Sequence, residues 1–194
     1  MANIDQAFGL RPIAKVGSAP GGTTGTTKYS IASGAGAMFT GDIVKQAATG
    51  TIVQGTAGAA ARGVFMGCFY TDPSTSKPRW NNTFPNGTVA SDAIAFVADD
   101  PDQLFICQQD SVAAEIVAAD LNLNADLVIG TGSTTTGISG TEIDSSSKNT
   151  TAALNVKLID FYDTPSNDAT ASNSVLVVKI NNHELNSGTG TDGI

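Results

Sequence analysis

The chain has 194 residues, a length typical of one large domain that can bury its core without disulfides or metals. Only 14% of its residues are charged and 21 are glycine, a composition that favours many short strands and turns over long helices. The net charge of −8, with no Lys/Arg cluster, argues against nucleic-acid binding, which needs cations to displace counterions from phosphates.

Residues 1–27 are predicted to form an extended N-terminal arm. Prolines and the Gly/Ser/Thr-rich run at residues 17–25 oppose regular structure here. Apolar side chains such as Ile4, Phe8 and Leu10 recur along the arm, and they would gain most by docking onto a partner surface. The first six residues lack the basic and apolar regions of a signal peptide, so we expect a protein made in the cytoplasm.

Short strands are predicted from residue 28 onwards. The strongest candidate is residues 63–71, where aromatic and β-branched side chains are frequent. Residues 92–98 and 103–108 are predicted to form a strand pair joined by a short acidic turn. Trp80 and Phe84 lie among Asn and Gly, which indicates a loop that rests on another surface. Further strand candidates are residues 28–31, 38–39, 42–45, 51–54, 127–129, 154–161 and 175–180.

One helix is predicted, over residues 111–121, because Val112, Ile116 and Leu121 keep helical spacing. A loop with strand character is the alternative for this segment. The whole pattern predicts an all-β domain at residues 28–186, a β-barrel or jelly-roll-like sandwich with an extended N-terminal arm and at most one short helix. Residues 187–194 are predicted to be a flexible tail.

No catalytic, cofactor or metal site is predicted. His183 is the only histidine and follows the last strand with no nucleophile beside it. The acidic turn at residues 99–102 is the best calcium candidate, but its spacing is not that of an EF-hand and suits an ordinary turn. Cys68 and Cys107 lie in apolar stretches, where buried thiols are expected and a disulfide between them stays open. No apolar run approaches the ~18 residues of a membrane span, so no membrane partner is expected.

The opening Met-Ala-Asn-Ile-Asp-Gln-Ala-Phe-Gly-Leu-Arg-Pro, residues 1–12, resembles the start of small structural proteins of tailed phages, especially phages of marine and freshwater bacteria. Later blocks fit the same family in the same order, so that the resemblance spans nearly the whole chain. These blocks are residues 29–31, 38–44, 63–68, 77–80, 98–101 and 180–185.

This resemblance implies a capsid decoration (cement) protein, a non-enzymatic virion protein on the outer surface of an HK97-type head. The implied partners are the major capsid protein and further copies of the chain, often as a homotrimer at three-fold and quasi-three-fold positions. The acidic charge agrees with the outer face, because packaged DNA repels it. The predicted capsid or subunit contacts are Phe8, Leu10, Arg11 and Pro12 in the arm, with Trp80 and Phe84 in the later loop.

Three other functions are open to this sequence. A virion surface module that recognises host glycan would use Trp80 as a platform for sugar rings. A tail or head–tail structural protein would form rings or tubes instead of trimers on a shell. A small depolymerase would be an enzyme, and the single histidine argues against it.

Overall fold

The computed structural model describes residues 3–18, 25–112, 115–186, 190–191 and 193. Short antiparallel strands dominate these residues, and the helical segments are two single 3-10 turns, Ala118–Asp120 and Ser145–Ser147. The predicted all-β class is confirmed. The strands are β1 (Arg11–Lys15), β2 (Thr27–Ser30), β3 (Met38–Phe39), β4 (Ile43–Gln46), β5 (Ile52–Gln54), β6 (Gly63–Asp72), β7 (Lys77–Asn81), β8 (Thr83–Phe84), β9 (Ile94–Ala98), β10 (Gln103–Gln108), β11 (Asn124–Ala125), β12 (Leu127–Val128), β13 (Glu142–Ile143), β14 (Val156–Phe161) and β15 (Val175–Ile180).

Two main sheets organise the domain. The five-stranded sheet has the order β1-β10-β15-β14-β11, and the six-stranded sheet has the order β2-β9-β6-β4-β5 with β7 also paired to β6. Two ribbons, β3-β8 and β12-β13, complete the strands. The predicted pairing of residues 92–98 with 103–108 is wrong, because β9 belongs to the six-stranded sheet and β10 to the five-stranded sheet. The acidic turn between them is therefore the crossing point from one sheet to the other.

The main core lies between the two sheets. Ile43 and Val64 from the six-stranded sheet share one buried cluster with Phe105, Leu158 and Val178 from the five-stranded sheet. In β15, the alternate residues Leu176, Val178 and Ile180 face this cluster, as the two-residue period of a strand requires. Each such side chain contributes roughly 1.5–3 kcal/mol by leaving water. The arrangement is a sandwich.

A second core fills the opposite side of the six-stranded sheet. It contains Met38, Ile52, Phe65 and Phe84, which the main core does not touch. A parallel bridge between Ile31 and Ile52 connects the end of β2 to β5, the other edge of the same sheet. This bridge makes the sheet curl around its second core, in the manner of a small barrel.

A β-bulge in β6 decides which side chains face this second core. The register with β9 shifts between Phe65 and Gly67, and Gly67 has a φ of 140°, which favours glycine. After the bulge Cys68 and Tyr70 enter the second core, while Phe69 points out of the barrel. The extra residue at the bulge is therefore the reason that Phe69 faces solvent and not the second core.

The described part of the predicted arm is closely joined to the domain. Leu10 lies fully buried in the main core, and Arg11–Lys15 is an edge strand of the five-stranded sheet, paired with β10. The residues before them also dock, since the Asn3 side chain donates to the backbone oxygen of Asp168 at 2.9 Å. Residues 19–24 of the predicted arm lie outside the described residues. Of the predicted tail, Thr191 is described, and its backbone N donates to Asn181 Oδ1 at 3.0 Å.

The helix predicted over residues 111–121 is wrong for the residues that the structure describes. Only Ala118–Asp120 is helical, as a 3-10 turn, and residues 113–114 lie outside the description. Side chains bind the backbone in place of helical hydrogen bonds: Ile116 N donates to Gln109 Oε1 at 2.7 Å, and Val117 N to Asp120 Oδ2 at 2.9 Å. Among the described residues, no helix is long and apolar enough to cross a membrane.

Candidate functional site

The six predicted contact residues lie in very different surroundings. Leu10 and Phe84 are 0% and 1% exposed, each buried in one of the chain's own cores, so their side chains present no surface to a partner. Phe8 and Pro12 are partly buried, whereas Arg11 and Trp80 are exposed. The structure therefore separates the predicted set into core residues and two surfaces, one around Trp80 and one around Arg11.

Trp80 lies on a strand, although a loop was predicted there. It belongs to β7 and pairs with Phe69 of β6 across the ladder. The indole rests on Gly67, where an added Cβ would come within 2.7 Å of Trp80 Cζ2. The edge of the indole also meets Phe96, with ring centroids 4.9 Å apart and planes at 60°. Trp80 is thus held in a fixed position while 56% of it stays exposed.

Phe69, Trp80 and Phe96 together form a surface that we call the aromatic face. Phe69 is 40% exposed and Phe96 is partly exposed. Lys28 of β2 extends over Phe96, with Nζ 5.8 Å from the ring centroid, a cation–π arrangement. Contiguous exposed aromatic surface of this kind is typical of binding sites, because large rigid rings bury much area at low entropic cost.

The carboxylate of Asp92 lies beside Thr71, two residues along β6 from Phe69. It accepts hydrogen bonds from the hydroxyl and the backbone N of Thr71, at 2.6 and 3.1 Å. These bonds hold the pKa of Asp92 below its usual range, so it is ionised at neutral pH. An anion is therefore held near the Phe69 strand segment, and the cation of Lys28 lies over Phe96.

The outer edge of β7 is protected against strand addition. Pro78 has no N–H to offer, and its neighbours Lys77 and Arg79 are charged, which are features that natural edge strands use to prevent pairing. Arg79 forms an exposed ion pair with Asp72 at 3.4 Å. Binding at this end of the molecule would therefore use the aromatic side chains and not the strand backbone.

The second surface is a groove of about 320 Å³ beside the N-terminal segment, which we call the N-terminal groove. Phe8 and Arg11 form part of its wall, and Ile106, Tyr162 and Val175 are among its other lining residues. The Arg11 guanidinium lies 4.6 Å from the centroid of the Phe8 ring. Two of the predicted arm contacts thus meet in one concavity.

The groups weighed for catalysis and metal binding have structural partners. His183 is 1% exposed, its Nδ1 accepts from Leu185 N at 3.1 Å, and burial lowers its pKa, so it is neutral at pH 7. In the acidic turn, Asp99 accepts from the Tyr29 hydroxyl, Asp100 pairs with Lys15, and Asp102 with Lys179. In the described part of the chain, no group of three or more His, Cys, Asp or Glu side chains could hold a metal ion.

The two cysteines are free and lie in different cores, Cys68 in the second core and Cys107 in the main core. They do not form a disulfide. Burial raises the pKa of Cys68 to about 12 and raises that of Cys107 as well, so neither is a reactive thiolate at neutral pH.

Sequence reasoning missed several residues of these surfaces. Phe69, Phe96 and Lys28 come together only through the pairing of β6 with β7 and β9 and of β2 with β9. The Lys-Pro-Arg-Trp run also concealed a strand, because proline and charge are typical of loops as well as of edge strands. Sequence reasoning also missed Glu142, which belongs to neither surface. Burial, followed by the charges of Asp5 and Asp110, raises the pKa of Glu142 to about 7.

Comparison with known proteins found no matching family model, no similar curated protein and no similar solved structure.

Proposed function

We propose that this chain is a capsid decoration (cement) protein that binds the outer surface of an HK97-type phage head and stabilises the shell against internal DNA pressure. The observation that carries the proposal is the aromatic face, where Trp80 is 56% exposed and yet fixed in position by Gly67 and Phe96. Exposed Trp residues in preformed positions are frequent centres of protein–protein binding energy. In this proposal the major capsid protein covers the aromatic face.

The charge of the chain supports the outer side of the shell. A net charge of −8 repels packaged DNA at long range, so a place inside the head would be unfavourable. An acidic outer layer also keeps decorated particles apart in solution.

Stabilisation would follow from mass action. A protein that binds the assembled shell, and not its dissociated subunits, shifts the equilibrium towards the shell. If copies associate as a homotrimer, one trimer contacts several capsomers at once. After the first subunit has bound, the other two are held close to their own sites on the shell, so the trimer binds more tightly than a single subunit. No catalytic step is required.

Co-sedimentation of the purified protein with stripped, undecorated capsids tests the proposal. We expect saturable binding, and we expect the Phe69→Ala, Trp80→Ala double variant to bind at least roughly 30-fold more weakly, the effect of about 2 kcal/mol. Val89→Ala is the matched control, because Val89 is 65% exposed but lies outside the aromatic face. Absence of saturable binding by the unmodified protein would refute the cement function.

A module that recognises host glycan is the second candidate, and the packing of the Trp80 indole on Gly67 favours it. A rigid indole with an exposed surface and a carboxylate nearby, here Asp92, can stack on a sugar ring and accept its hydroxyl hydrogen bonds. A glycan array separates the two functions. Specific hits that Trp80→Ala abolishes, together with no capsid binding, would favour glycan recognition; neither activity would favour a tail or head–tail protein.

A further inference from the structure

The N-terminal groove contains a cation without a carboxylate partner. Among the described residues that line the groove, Arg11 is the only charged one. In the part of the chain that the structure describes, it has no ion pair with an acid, although the chain has 18 Asp and Glu residues against 10 Lys and Arg. The other two arginines, Arg62 and Arg79, do have such partners, as do Lys15, Lys148 and Lys179, whereas Lys28, Lys45 and Lys77 have none among the described residues. In so acidic a protein, a guanidinium kept apart from acids is available to an anion from outside.

The position of Arg11 is fixed before any ligand arrives. Its backbone is paired with Ile106 in the β1–β10 ladder, and its guanidinium lies over the Phe8 ring at 4.6 Å. A planar guanidinium held in this way loses little entropy when it binds a carboxylate through two parallel hydrogen bonds.

The walls of the groove are held by hydrogen bonds. Gln108, almost fully buried, accepts from Gln6 N at 2.9 Å and donates to the backbone oxygens of Ile4 and Asn173 at 2.8 and 2.9 Å. One side chain thus connects the N-terminal segment to the opposite wall. The lining includes the apolar side chains of Ile106 and Val175, which are partly exposed.

Asn173 completes the wall opposite the N-terminal segment. It lines the groove with a left-handed backbone, at a φ of 57°, and its backbone oxygen accepts from Gln108. The groove therefore combines a site for a carboxylate with apolar surface.

We propose that the N-terminal groove binds an acidic, apolar peptide segment of a partner protein. A carboxylate of the segment pairs with Arg11, and a neighbouring apolar side chain packs on Ile106 and Val175. Charge complementarity favours this occupant, because Arg11 is the one charged side chain among the described residues of the lining. The volume of about 320 Å³ suits one or two side chains of such a segment. This inference does not depend on the shell-binding function.

An NMR titration of the full chain tests it with two probes, a capped phenylalanyl-glutamate dipeptide and its glutamine counterpart, which lacks only the charge. We expect saturable shifts at Arg11, Ile106 and Val175, with the glutamine probe binding roughly tenfold more weakly, the effect of about 1.4 kcal/mol. Arg11→Gln should remove the difference between the probes, and Arg79→Gln, a matched control on another surface, should keep it. Unfolding curves of both variants confirm that they fold.

Three results would overturn the inference. Equal affinity of the unmodified chain for both probes would show that Arg11 recognises no carboxylate. Saturation by acetate as strongly as by the glutamate probe would indicate a site for small anions and not for a peptide. Absence of shifts around the groove at millimolar probe would show that the groove binds neither. Each result leaves the capsid-sedimentation experiment unaffected, so the two proposals fail separately.

Discussion

The aromatic face and the N-terminal groove expose side chains for opposite reasons. The aromatic face lies on the outer side of the six-stranded sheet, where a bulge at Gly67 turns Phe69 outwards and the Trp80 indole packs on this glycine. The N-terminal groove lies on the five-stranded sheet, where a chain segment crosses the sheet and leaves a concavity around Arg11. The first surface offers aromatic area with little net charge, and the second offers one fixed charge.

This difference teaches that residue type and position in the sequence do not by themselves define a contact residue in this protein. Phe84 and Phe69 are both phenylalanines near Trp80, but the first fills the second core and the second faces solvent. The same contrast separates Leu10 from its neighbour Arg11. Substitutions can therefore distinguish residues that stabilise the fold from residues that bind a partner.

The largest effect is expected from the two buried members of the predicted contact set. Phe84→Ala should lower the free energy of unfolding by about 3–5 kcal/mol and Leu10→Ala by about 2–5 kcal/mol, because each leaves a cavity in a core. Phe69→Ala, at an exposed position, should cost less than about 1 kcal/mol. Urea unfolding measures all three, and equal losses would contradict the division between core and surface.

The second largest effect is expected from a substitution that disturbs the contact between Gly67 and the Trp80 indole. Gly67→Ala should cost about 1–3 kcal/mol, since φ is 140° and the new Cβ would meet the indole at 2.7 Å. Trp80 is the only tryptophan, so its fluorescence emission and quenching report the displacement directly. Gly50→Ala is the matched control, with a φ of 77° and nothing within 4 Å of an added Cβ. It should strain the backbone but leave the fluorescence unchanged.

A change of pH between 5 and 8 should alter the free energy of unfolding through Glu142, near Asp5 of the N-terminal segment, and should leave the aromatic face unchanged. The pKa of Glu142 is raised from 4.5 to about 7, by burial first and then by Asp5 and Asp110. A raised carboxyl pKa means that the folded state favours the protonated form, so the contribution of Glu142 to stability is fully present below pH 4.5 and is lost as the pH rises towards 7. After solvent screening is allowed for, the loss should be about 1 kcal/mol.

Glu142→Gln removes the group that titrates. The variant should lose less stability than the unmodified chain between pH 5 and pH 8 and should be the more stable of the two at pH 8, as measured by urea unfolding. Identical pH profiles for the two proteins would show that Glu142 carries no penalty. The fluorescence of Trp80 should not change over this range, because Asp92, the acid beside the aromatic face, has a lowered pKa.

The smallest effect concerns Lys28. Lys28→Gln removes the cation over Phe96 and should change the free energy of unfolding by about 0.5–1 kcal/mol at most, the range for exposed cation–π pairs. A double-mutant cycle with Phe96→Leu isolates this interaction. A coupling free energy of zero would mean that Lys28 contributes to the aromatic face only as a charge for a partner.

Local signals in the sequence were sufficient for the strand content but not for the contact set. The run at residues 63–71 is rich in β-branched and aromatic residues, and β6 is the longest strand described. Trp80 was predicted to lie in a loop that rests on another surface, and it lies on a strand with 56% of the residue exposed. Burial of Leu10 and Phe84 was not predicted, because it arises from packing between segments far apart in the chain.

The bulge and the sheet crossing explain the remaining errors. An alternating pattern through β6 would put Phe65 and Phe69 on one face, and only the extra residue at the bulge separates them. Two apolar strands with a four-residue connection suggest a hairpin, yet here they enter different sheets, and Asp100 and Asp102 pair with Lys15 and Lys179. Neither feature has a local sequence signal strong enough to predict it.

The most direct test of the central claim is heat-induced DNA release from stripped heads that have been saturated with the protein. We predict that the unmodified protein raises the release temperature, that Val89→Ala acts equally, and that the Phe69→Ala, Trp80→Ala double variant at the same concentration does not. A release temperature raised equally by the double variant would show that the shell is bound without the aromatic face. No rise with the unmodified protein would contradict the cement function itself.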